Sequence, residues 1–191
     1  LLIGSEGTLC VFLEAELRLL RAPADVPAGN FFFEQEWAAL AFVEDARGDE
    51  RHENAAEGVR PWSLELFDGA ALALIREHGA DVPERAGAAI FFEQGLDEAS
   101  PERLEACQDA WIALGGLHGA LDESWVATTP AEHKSFRELR HAVPVSINET
   151  LARRGVSKLS TDTAVPRGRA AELLDRYRER LRAEGFEHVI F

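Results

Sequence analysis

The sequence contains no methionine and only two cysteines among its 191 residues. Cys10 and Cys107 stand far apart, with no CxxC spacing and no histidines clustered beside them. That excludes a disulfide framework and argues against a structural zinc site, and it makes a reducing, cytoplasmic setting the expectation. No apolar run approaches the ~20 residues that a membrane span needs. A basic-then-apolar leader is also lacking. Positive charge is scarce: 20 Lys and Arg oppose 34 Asp and Glu, for a formal net charge of −14. So acidic a surface repels nucleic acid and anionic membranes and argues against both as partners. The absence of methionine, with strand-like runs at Leu1-Leu2-Ile3 and His188-Val189-Ile190-Phe191, leads to the expectation of a piece of a longer polypeptide.

What is present is an ordinary globular mixture, 46% apolar and 28% charged, enough for one core plus an extension. Residues 9–20 alternate over their second half and are expected to form a half-buried strand. Residues 22–30 (APADVPAGN) read as a connector and a domain boundary. Strands are then expected at 31–33, 62–67, 88–93, 124–128, 156–164 and 187–191. The helices between them are expected around Trp37, Leu40, Ala41 and Val43; after Asp68 as N-cap; from Ser100-Pro101 to a stop at Gly115-Gly116; from the capping box at Thr129-Pro130-Ala131-Glu132; and from Pro166 to Gly185. Pro144 is expected to bend or break the fourth helix. The string FFEQ occurs in both FFFEQEW (31–37) and AIFFEQG (89–95), as two copies of a strand-then-helix unit would give. The fold class expected is α+β: an antiparallel sheet with helices packed on one face, a ferredoxin-like or split βαβ arrangement.

Gly4-Ser5-Glu6-Gly7-Thr8-Leu9 is the stretch richest in chemistry. Two glycines bracket a Ser-Glu pair before a strand-like run, which lets backbone amides and a hydroxyl approach a phosphate or a ring edge. On spacing alone a plain glycine turn with solvated polar residues is the better reading, since short glycine motifs are weak evidence. Arg140 presents a planar fork suited to a carboxylate, and Lys158, Ser160 and Asp162 would share one strand face. By themselves these are also readable as a salt-bridged arginine and a solvated face. His133, His141 and His188 are assigned no catalytic role.

Three stretches carry a family resemblance. GSEGTLC followed by VFLEAELRLL is similar to the segment closing the FAD domain of the FAD-linked oxidase family, which includes D-lactate dehydrogenases, glycolate oxidase and D-2-hydroxyglutarate dehydrogenase. SLELFDGAALALI resembles the family's aLElmDraaL run. Leu139-Arg140, Ile147-Asn148-Glu149 and Lys158 through Pro166 resemble its lR…ine…KlstDxAVP segment. They lie in the family's order. The resemblance implies the end of an FAD-binding domain at 1–21, the connector at 22–30 and an incomplete C-terminal substrate domain at 31–191.

The same resemblance implies an FAD-dependent 2-hydroxy acid dehydrogenase or oxidase acting on a D-lactate- or glycolate-type substrate. Electrons would pass to a quinone, cytochrome, iron–sulfur or flavoprotein partner, with peripheral attachment to the inner membrane as a variant of the cytoplasmic setting. Gly4, Ser5, Glu6, Gly7, Thr8 and Leu9 would contact FAD, with Cys10 where the family usually has glycine. Arg140 and Lys158 would bind the substrate carboxylate. The family's catalytic and metal-binding histidines belong to an HxGDGNxH segment expected directly after Phe191, so no catalytic residue and no metal ligand is assigned here. The 191 residues alone are expected to be inactive. The alternatives are an enzyme resembling alkyl-dihydroxyacetone-phosphate synthase and a stand-alone ferredoxin-like binding module.

Overall fold

The computed structural model describes residues 4–5, 7–48, 57–160 and 163–191. Its elements in chain order are β1 (Ala28–Phe33), α1 (Glu36–Arg47), β2 (Ser63–Asp68), α2 (Gly69–Glu77), β3 (Ala88–Glu93), α3 (Pro101–Leu117), β4 (Trp125–Val126), α4 (Pro130–Arg154) and α5 (Ala170–Ala183). The strands form one antiparallel sheet in the order β2-β3-β1-β4. β1-α1-β2 is thus one split unit with β3 inserted in its gap, and β3-α3-β4 is a second with β1 in its gap. This is the expected ferredoxin-like arrangement. The two FFEQ strings run off the ends of β1 and β3, the first strand of each unit.

β1 is buried at all six positions and β3 at five of six, so apolar runs replace alternation and both faces of the sheet must be covered. On one face Phe31, Phe33, Ile90 and Phe92 pack with Phe42 of α1 and Trp111 and Leu114 of α3. On the other, Phe32, Phe67 and Phe91 pack with Leu72 and Ile75 of α2 and Phe136 and Val143 of α4. The helix layer of α1 and α3 is therefore joined by a second layer, in place of helices on one face only.

The helix starts follow local chemistry. Asp68 accepts from the Ala71 amide at 2.9 Å and Ser100 from the Arg103 amide at 3.3 Å, each satisfying a donor the first helical turn leaves free. At α4 the Glu132 carboxylate accepts from the Thr128 and Thr129 amides at 2.7 and 2.8 Å, while Thr129 Oγ1 accepts from the Glu132 amide. That is the reciprocal capping box the sequence called for.

Several boundaries differ from expectation. Gly115-Gly116 does not stop α3, which runs on to Leu117; a Cβ at Gly115 would lie 2.5 Å from the Phe31 ring, so this glycine serves close packing. Pro144 lies inside an unbroken α4, which is held to the core by Phe136 and Val143 before the proline and by Ile147 after it. α1 buries Ala38, Ala39, Phe42 and Ala46, leaving Trp37 exposed. α5 begins at Ala170 rather than Pro166, because Pro166–Arg169 forms a turn in which the Arg169 amide donates to the Pro166 carbonyl.

The expected strands at 9–20 and 156–164 are not strands among the described residues, because no neighbouring chain offers them a ladder; Asp162 lies outside the described residues. Residues 187–191 make one backbone bond to the sheet, Asp68 N–H to the Ile190 carbonyl at 3.0 Å, rather than a strand. Residues 28–30 belong to β1 rather than to the connector. No helix of the described residues is long and apolar enough to cross a membrane.

Candidate functional site

The chemistry gathers on the α2/α4 face. Register aligns Trp125, Asn30, Phe91 and Glu65 in one row across β4, β1, β3 and β2. Glu65 shares its face with Phe67, two residues on, because strand side chains alternate. α4 lies over this row and delivers Arg140 to Glu65. Arg140 Nε donates to Glu65 Oε2 at 2.7 Å, and Nη2 donates to Oε1. Both side chains are about one-third exposed, 30% and 32%. Hydrogen bonding to Glu65, with the charges of Glu65 and Glu93 added, holds the Arg140 pKa above its ordinary value, so this group is cationic at any working pH. Ser63 Oγ donates to Glu93 Oε2 at 3.3 Å and continues the polar strip along the sheet.

Arg140 lines a cavity of about 390 Å³ with Glu65, Phe67, His141, Pro144 and Phe191. Phe191 meets Phe67 edge-on at 6.2 Å, and the Lys158 ammonium sits 5.8 Å from the centre of the Phe191 ring. That distance is within cation–π range. Phe191 therefore borders both residues singled out separately in the sequence: it lines the cavity with Arg140 and carries Lys158 against its ring, while Lys158 is not among the residues lining the cavity. Lys158 reaches it from an irregular, exposed segment, not from the strand face expected. A second cavity of about 390 Å³ lies toward the start of α4, with Glu93, His133, Phe136 and Arg137 among its lining residues.

The six-residue glycine stretch is elsewhere. Gly4 and Gly7 have φ of 82° and 79°, conformations only glycine adopts without strain. Just after Gly7, the Thr8 amide and hydroxyl both donate back to the Ser5 carbonyl, at 2.9 and 2.6 Å. Ser5 and Cys10 are half-buried, Leu9 is exposed, and Glu6 lies outside the described residues. No hydrogen bond or ring contact among the described residues links this turn to Arg140 or Lys158.

Sequence reasoning missed Glu65, Glu93 and Phe191. Glu65 had one available signal: an acid on the Phe67 side of a strand whose Leu64 and Leu66 pack on the opposite face. Asn30 was also missed. It is fully buried, and its amide N and O have no protein partner among the described residues. Among the described residues no group of His, Cys, Asp or Glu is arranged to hold a metal ion.

The chain matches the family of FAD linked oxidases, C-terminal domain, over residues 22–191, and it belongs to that family. None of the curated proteins matches it. The class so defined is flavin-dependent oxidoreductase, with FAD as the cofactor the family implies.

Proposed function

We propose that this chain serves the oxidation of a D-2-hydroxy acid of the D-lactate or glycolate type to its 2-oxo acid, with Arg140 and Lys158 holding the substrate carboxylate. The observation that carries the reading is Arg140 at a cavity of about 390 Å³ whose Phe191 wall has the Lys158 ammonium 5.8 Å from its ring centre. A guanidinium lining a half-enclosed space, with an ammonium against the Phe191 ring, suits a small carboxylate, and Phe67 and Phe191 offer an apolar wall to its carbon skeleton. A guanidinium grips both carboxylate oxygens in one plane, which fixes where the α-carbon lies, while an ammonium adds attraction without orientation. Arg140 is accordingly the residue that sets geometry, and Lys158 the one that adds affinity.

Gly4, Ser5, Gly7, Thr8 and Leu9 are read as a strip contacting FAD, with Glu6 between them. The tight turn fits that role, since its positive-φ glycines let a flat ring or a phosphate come close to the backbone. When bound, the flavin supplies the two-electron acceptor for the α-carbon hydride.

The test is steady-state kinetics of the full-length, flavin-loaded chain with D-lactate and glycolate. R140A is expected to lower kcat/KM by about a hundredfold and K158A by about tenfold, mostly through KM, as for loss of an oriented and an unoriented charge contact. Unchanged kcat/KM in R140A would sink the reading.

A further inference from the structure

We infer that Glu65 is a positioning residue for Arg140, holding the guanidinium so that its second edge stays available to a substrate carboxylate. The inference rests on the reading of Arg140 as a carboxylate ligand. Glu65 takes Nε–H and one Nη2–H, the two donors along one side of the guanidinium. A guanidinium has five N–H donors in a rigid fork, so the edge formed by Nη1 and the other Nη2–H is left. No hydrogen bond uses Nη1 among the described residues. Glu65 is on β2, a strand ladder-bonded to β3 along its whole length, whereas Arg140 is a long side chain on a helix. The strand therefore fixes the carboxylate, and the carboxylate fixes the arginine's plane.

The charge arrangement allows a competing picture and also separates it. Glu65 neutralises Arg140, and Glu93 adds further negative charge nearby. Were Glu65 only a rival for the guanidinium, removing its charge would tighten anion binding. If it positions Arg140, removing the charge weakens binding, since a glutamine in its place offers one acceptor and turns an N–H donor toward the other arginine donor. The two pictures predict opposite signs.

The test uses the full-length, flavin-loaded chain, with oxalate as an unreactive carboxylate in calorimetric titration and D-lactate in kinetics. E65Q is expected to weaken oxalate binding by about tenfold and to raise the KM for D-lactate similarly, with kcat changed by less than about threefold. In an R140K background E65Q is expected to have no effect, because an ammonium has no plane to orient. E65D, which keeps the charge on a shorter stem that cannot span both donors, is expected to show the same loss and covers a failure of E65Q to fold. Equal or tighter oxalate binding in the folded variant, or an undiminished loss in the R140K background, would overturn the inference. An R140A variant that binds oxalate like wild type would instead overturn the carboxylate reading of Arg140; wild-type behaviour of E65Q beside a failing R140A would overturn only the role of Glu65.

Discussion

Glu132 shows how much a single carboxylate can be bent by its surroundings. Hydrogen bonds from the Thr128 hydroxyl and amide, then from Thr129, pull its pKa from an ordinary 4.5 down to about 2. The folded value is depressed, so the ionised form is favoured in the folded chain. Its contribution to stability is full above pH 4.5 and is lost as pH falls toward 2. The side chains around it are exposed, which tempers the size of the effect. Acid titration followed by helical circular dichroism should show wild type losing stability over that window and E132Q losing markedly less; identical acid profiles would contradict the account. This residue was legible in the sequence because cap and acid are three positions apart. For Glu65 the sequence offered only its place on the Phe67 side of the strand; its partner lies 75 residues away, and nothing local to SLELFD announces an arginine above it.

Among the elements, α3 is the most instructive. Trp111 stacks on Phe92 with ring centres 3.8 Å apart, and its indole N–H donates to buried Gln94 at 3.0 Å. Gln94 in turn accepts from the Arg60 amide and donates to the Gly58 carbonyl, so the helix, β3 and the segment before β2 share one polar node inside an aromatic core. Gly115 completes the fit by letting the Phe31 ring touch the helix backbone. Helix propensity alone favours G115A by about 1 kcal/mol. The methyl would instead meet a ring held on other sides by Phe42 and Phe92, and such overpacking costs about 1–3 kcal/mol. Urea melting should therefore find G115A less stable than wild type, and a gain in stability would show the packing argument wrong. Local signals gave the start of α3, through Ser100 and Pro101, but its end depends on a strand from another part of the chain. The same cause explains the strands wrongly expected at 9–20 and 156–164. Alternation describes a surface that could pair, and pairing needs a neighbour.

Across the molecule, Asp68 ties together the parts that surround the site. Its Oδ1 caps α2, its Oδ2 lies 3.5 Å from Arg178 of α5, and its amide holds the Ile190 carbonyl beside Phe191. Arg178 also pairs with Glu36 at the start of α1, and those interactions hold its pKa above the ordinary value. Asp68 is buried, so R178A leaves a buried carboxylate short of its counter-charge and should cost about 1–3 kcal/mol in chemical denaturation, between the exposed and fully buried cases. An R178A chain as stable as wild type would show that α5 is not anchored this way. The antiparallel sheet and its ferredoxin-like class were legible in the sequence, whereas the second helix layer was not expected; the approach of Arg140 and Lys158 to Phe191 was not legible either, because it depends on how the segments after α4 and α5 return to β2. The central claim is that this convergence serves a hydroxy acid beside a flavin. Mixing the full-length, flavin-loaded chain anaerobically with D-lactate tests it most directly. Rapid loss of the oxidised flavin's yellow colour with D-lactate, slow or no loss with L-lactate, and none with D-lactate in R140A is the expected result. A flavin that stays oxidised with D-lactate and glycolate alike, or an R140A chain that bleaches as fast as wild type, would contradict it.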